Sequence, residues 1–154
     1  MLIKRFRSLC ERGAAAVEFA IVLPLLVLVI FGTVEFGAAW SQKTDVNHGA
    51  REAARLAAVN FNPNDVSGSA QTTDIIRAAC SRMGSDTDAT MSLSAVSPGD
   101  VAVGDVIEVS VVQDFASITG FVPVAANLTS TVQFRLERPA TWADSAAPLS
   151  CNGL

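Results

Sequence analysis

The chain has no tyrosine, one histidine and three cysteines among 154 residues, and aromatic side chains make up 6% of it. So few aromatics leave no surface on which nucleobases would stack, and the acidic balance of most of the chain lacks the basic stripe that phosphate backbones require. With His48 as the lone histidine, any nucleophile–histidine catalysis would have to be built on that residue, and no nucleophile motif accompanies it. His48 reads instead as a solvated helix residue, because a metal site needs several convergent ligands. Glycine-rich phosphate-binding patterns are missing, and Asn127-Leu128-Thr129 matches a glycosylation acceptor pattern that arises often by chance. The expectation is a protein without enzymatic activity, cofactor, metal, small-molecule substrate or nucleic-acid partner.

What is present is apolar. Half the residues are hydrophobic, mostly Ala, Val, Leu and Ile, enough for one small domain beside a membrane segment. From Phe19 to Val34 there is no charged residue, and from Ala14 onward the only one is Glu18. A helix over 14–34 is about 31 Å long, sufficient to cross the hydrocarbon core. Pro24 removes one backbone hydrogen bond, which membrane helices tolerate with a mild kink. Gly32 and Gly37 offer flat patches to another helix, without the four-residue spacing of the usual dimer motif.

Charge is distributed unevenly. Lys4, Arg5, Arg7 and Arg12 against Glu11 leave +3 before Gly13, so the rest of the chain carries −7 of the total −4. Basic residues just ahead of an apolar span stay cytoplasmic, which puts the acidic remainder outside. Cys10 then lies on the reducing side, and Cys80 and Cys151 face a compartment that permits disulfides. Their pairing is expected, since closing so long a loop contributes about 4 kcal/mol in the chain-entropy account. The competing reading keeps Cys80 as a small core residue.

Past the span, helical spacing continues. Val46, Ala50, Ala53, Ala54, Ala57 and Ala58 form a small-residue stripe, while Lys43, Asp45, Arg51, Glu52 and Arg55 fall mainly elsewhere. A helix from Ala14 to Val59 would be about 69 Å long, its outer part packed on the domain, with Gly49 a weak point but no stop. Asn62-Pro63-Asn64-Asp65 and Ser67-Gly68-Ser69 make a loop. Thr73 and Asp74 cap a short helix through Arg82 that buries Ile75, Ile76, Ala79, Cys80 and Met83 and stops at Gly84.

Alternation then replaces helical spacing. One strand carries Met91, Leu93 and Ala95 and ends at Pro98-Gly99-Asp100. A second, over 106–113, turns Ile107, Val109 and Val111 inward. A third, over 129–137, turns Val132, Phe134 and Leu136 inward. These make an antiparallel meander with one face on the long helix. The apolar 115–128 connection, with Phe115, Ile118, Phe121, Val122, Val124 and Leu128, either tucks beneath the sheet or presents a contact surface to a partner, and tucking is favoured because exposed apolar patches are costly. Residues 139–154 read as an irregular tail tethered by Cys151. The fold class is α+β: a long N-terminal transmembrane helix leading into a small domain with a short helix and about three antiparallel strands. The divisions expected are 1–13 as a basic leader, 14–40 as the transmembrane segment, 41–59 as the continuing helix and 60–154 as the extramembrane domain.

Glu18 needs an explanation, because an acidic residue at mid-membrane costs about 2.5–3.5 kcal/mol. Glu35 needs less, since it falls where its carboxylate reaches the interface. The residues around Glu18 supply one. A short basic leader ends in Gly13, followed by Ala14, with Glu18 at the fifth position after the glycine and Phe19 next. This resembles the prepilin-type leaders of Flp pilins and, more closely, the TadE-like pseudopilins of the tight adherence system, preferred over TadF on the motif match. The resemblance extends through Glu18-Phe19-Ala20-Ile21-Val22-Leu23-Pro24, Glu35-Phe36-Gly37 and Ala50-Arg51-Glu52-Ala53-Ala54-Arg55, and includes Arg135-Leu136-Glu137 weakly.

The resemblance implies a pilin-like protein cut by a prepilin peptidase between Gly13 and Ala14. The product would be a single-pass protein of the bacterial inner membrane, with its domain in the periplasm. It would act as a minor pseudopilin in Flp pilus assembly or initiation, with other pilin subunits and the assembly platform as partners. The new Ala14 ammonium would neutralise Glu18 one helix turn away or in an adjacent subunit. Two alternatives stay open. One is a secreted or periplasmic binding domain released at Gly37-Ala38-Ala39; the other is an uncleaved, membrane-anchored adaptor.

Overall fold

The computed structural model describes residues 3–83, 88–96, 101–115, 117–120 and 127–152, with side chains from Gly13 onward. Helix α1 runs without interruption over Ile3–Ala58, with Pro24 inside it. Helical spacing predicts its course from Ala14; the structure extends it back through the basic leader. The chain divides into two compact units, Met1–Ala38 with Ser117–Pro123, and Ala39–Ala116 with Val124–Leu154, so the boundary falls within α1.

In the first unit α1 is apolar and long enough to cross a membrane. Its side chains between Val17 and Val34 are almost all exposed. Exposed apolar residues on every face are the pattern of a helix whose surroundings are lipid or other helices.

In the second unit the alanine stripe does what its spacing predicts. Val46, Ala50, Ala53, Ala54, Ala57 and Ala58 are fully buried, in one core with helix α2 (Ser69–Met83) and the inner face of the sheet. Small side chains leave room for neighbouring groups, and at Gly49 a side chain takes that room. There a Cβ would lie 2.1 Å from Met83 Sδ and 2.4 Å from Met83 Cγ. The glycine that looks like a weak point is the seat of the Met83 side chain. Gly49→Ala gains about 1 kcal/mol of helix propensity and loses about 1–3 kcal/mol to overpacking. Urea melts of Gly49→Ala, Met83→Ala and the double variant are expected to show a coupling of at least about 1 kcal/mol; additive effects would mean the contact carries no energy.

Helix α1 ends by a Schellman geometry. Asn60 takes the left-handed conformation (φ 54°), its N–H reaches Ala57 O at 3.1 Å, and Phe61 N–H reaches Leu56 O at 2.9 Å. The tail caps what remains: Glu137 N–H donates to Ala58 O at 2.9 Å and Trp142 Nε1 to Ala57 O at 3.1 Å.

Helix α2 spans Ser69–Met83, beginning four residues before the predicted cap at Thr73. The early turn is held by groups remote in sequence. Thr72 Oγ1 donates to Ala143 O at 2.6 Å, and Gln71 Nε2 donates to Asn60 Oδ1 at 2.8 Å, with Thr141 Oγ1 donating to Gln71 Oε1 at 2.7 Å. Ile75, Ile76, Ala79, Cys80 and Met83 are buried, as their spacing predicts. The stop at Gly84 and the turn at Pro98-Gly99-Asp100 lie outside the described residues.

The sheet is antiparallel, in the order β3-β2-β1-β4, from β1 (Thr90–Ala95), β2 (Val106–Asp114), β3 (Asn127–Arg135) and β4 (Leu149–Ser150). The three-strand meander is present, and a fourth short strand from the supposedly irregular tail joins it. Strand β2 buries Ile107, Val109, Val111 and Gln113 in strict alternation. Strand β3 is shifted two residues earlier than predicted. Its register runs from Asp114↔Asn127 to Val106↔Arg135, so Leu136 leaves the ladder and donates to Asp105 O at 2.9 Å, while Phe134 remains 40% exposed. Cys80 and Cys151 form a disulfide, their Cα atoms 5.5 Å apart.

Candidate functional site

The residues singled out by the leader motif lie on α1. Gly13 is helical, and a Cβ there would meet nothing within 4 Å; the same holds at Gly32 and Gly37. Ala14, Glu18 and Phe19 are exposed. Ala14 and Glu18 stand one helical turn apart on one side, and among the described residues no side chain forms a salt bridge with Glu18. The side chain of Cys10 lies outside those described.

Glu35 departs from its expectation. Rather than reaching for water at an interface, it is 4% exposed, and residues 117–120 of its own unit bind its carboxylate. Ser117 Oγ donates to Oε1, while Thr119 N–H and Thr119 Oγ1 donate to Oε2 at 3.2 and 3.1 Å. The turn is closed by Gly120, whose N–H donates to Ser117 Oγ at 2.9 Å and whose φ is +64°. Ile118, expected beneath the sheet, is 69% exposed in this turn, whereas Leu128 does pack on the core; Phe121, Val122 and Val124 lie outside the described residues. The available signal was Ser117-Ile118-Thr119-Gly120, a hydroxyl-rich turn inside an otherwise apolar connection.

A second polar cluster sits on the part of α1 that belongs to the second unit. His48, Glu52 and Arg55, with Arg82 of α2, line an open groove of about 390 Å³. Arg55 donates twice to Glu52, at 2.9 and 3.1 Å, which holds the Glu52 carboxyl below its ordinary range against the opposing effect of desolvation. Both partners are partly solvated, so the pair is screened and worth little to stability. Among the described residues no group of three or more His, Cys, Asp or Glu side chains is gathered as a metal site would be.

This arrangement offers an apolar helix with one acid near its start that has no salt-bridge partner among the described residues, and one capped acid near the end of its apolar run. It can associate with lipid or with other helices through shape and charge. No curated protein and no solved structure matches the chain. The family of TadE-like proteins matches residues 13–55, a segment that opens at Gly13 and includes Glu18, Glu35 and most of the buried alanine stripe. Over residues 13–55 the chain is therefore similar to the TadE-like proteins.

Proposed function

We propose that this chain is a minor pseudopilin that takes part in assembling or initiating a tight adherence pilus after a prepilin peptidase cuts between Gly13 and Ala14. The observation that carries the reading is the TadE-like match beginning at Gly13 on a helix whose next 21 residues hold one charge, Glu18. The basic leader keeps the N-terminus cytoplasmic and the acidic domain periplasmic, with the protein held by one span in the inner membrane. The Gly13–Ala14 bond lies within α1, so cleavage requires that turn to open. Glycine lowers the cost of opening by about 1 kcal/mol relative to alanine. The partners in this reading are the peptidase, other pilin or pseudopilin subunits and the assembly platform.

Intact mass of the protein extracted from membranes tests the reading. A mature chain beginning at Ala14, and a longer one in cells lacking the peptidase, is the expected result. A chain beginning at Trp40 would make it a secreted domain; retention of the residues before Gly13 in the presence of the peptidase would make it an anchored adaptor.

A further inference from the structure

We infer that the turn at 117–120 is a second membrane contact: it caps Glu35 at the outer edge of the bilayer and lays Ile118 into the lipid interface. The inference requires that α1 enter a bilayer and does not depend on leader processing.

Depth follows from the helix. Residues 14–34 cover about 31 Å, the full hydrocarbon thickness, so Glu35 stands at its outer boundary. Phe36 and Trp40, 70% and 68% exposed, follow within the next two turns, where aromatic side chains collect at the headgroup level. The turn cannot lie elsewhere, because Ser117 and Thr119 are hydrogen-bonded to the Glu35 carboxylate itself.

Chemistry gives the same location. A carboxylate in water has donors in excess and needs none from the protein. One at the edge of hydrocarbon must be supplied with them. Three donors converge on Glu35, and the residue between the two that supply them is an exposed isoleucine. In water Ile118 would be an unsupported apolar side chain on a polar turn; against acyl chains it is the side chain expected.

The test uses the full chain in phosphatidylethanolamine–phosphatidylglycerol vesicles containing a lipid brominated near the headgroup. Ile118→Trp is placed in a Trp40→Phe background, leaving as native tryptophan only Trp142, which is buried. Val103→Trp, at a 60% exposed site of the other unit, is the aqueous control. Vesicle flotation establishes insertion. At position 118 the brominated lipid is expected to quench at least about twofold more, and aqueous iodide at least about twofold less, than at position 103. Adding Glu35→Ala should return position 118 toward the control. Iodide quenching equal to the control overturns the inference, as does shielding from both quenchers, which would mean that protein covers Ile118. A chain that fails to float overturns its premise, and a Glu35→Ala variant with unchanged quenching overturns the capping role.

Discussion

Replacing Cys151 with serine is expected to lower the stability of the second unit by about 4 kcal/mol and its Tm by on the order of 20 °C. The bond closes a loop with a sequence separation of 71, and a domain of this size has only about 5–15 kcal/mol to lose. What it tethers explains why the loss should be visible beyond a melt. The tail dresses the outer edge of β1: β4 pairs with Thr90 and Met91, Cys151 N–H donates to Ala89 O at 2.8 Å, Ser145 N–H donates to Leu93 O at 2.8 Å, and Asp144 accepts from Ala95 N–H at 2.8 Å. A bare edge strand is a template for association with other chains. Cys80→Ser, Cys151→Ser and the double variant should therefore melt within about 1 kcal/mol of one another, since each removes the same bond. All three should also aggregate sooner than the parent. Additive losses from the two single substitutions, or free thiols at both positions in the folded parent, would reject the disulfide as the source of the stability.

The tail shows where the chain is legible and where it is not. The alanine stripe of α1 and the alternation of β2 are periodic patterns within one element, each dictated by which face meets the core, and both are readable residue by residue. Trp142, Gln71 and Thr72 carry no such pattern. Trp142 is buried because its indole N–H finds Ala57 O, a carbonyl exposed only by the end of α1, 85 residues earlier. Gln71 and Thr72 extend α2 backwards because Asn60, Thr141 and Ala143 take up their polar groups. Strand β3 ends at Arg135 because β2 begins at Val106, a limit set by the partner strand. At the candidate site the same division holds. Gly13, Ala14, Glu18 and Phe19 form a local motif and can be read directly, whereas Glu35 acquires its cap from residues more than 80 positions away. A carboxylate next to an apolar span signals that a partner is needed, without saying where the partner comes from.

Glu18→Ala should leave cleavage after Gly13 intact and reduce pilus assembly by at least about tenfold, which corresponds to about 1.4 kcal/mol. In the proposed reading the peptidase acts at the Gly13–Ala14 bond, and Glu18 lies a full turn beyond it on the exposed face of α1, so the mature mass should be unchanged. Its part comes afterwards. Cleavage there would leave an Ala14 ammonium in or near the bilayer, where each unpaired charge at depth costs up to about 2.5–3.5 kcal/mol. If the ammonium and Glu18 pair within one chain, the substitution strands the ammonium in every subunit, and the isolated protein should already sit shallower in vesicles. If the pair forms between chains, the single subunit is the costly state and association relieves it. Glu18→Ala would then leave the depth of the monomer unchanged and weaken only subunit association. Pilus yield, mature mass and monomer depth measured on the same variant separate these outcomes, and normal pilus formation would sink charge pairing in either form.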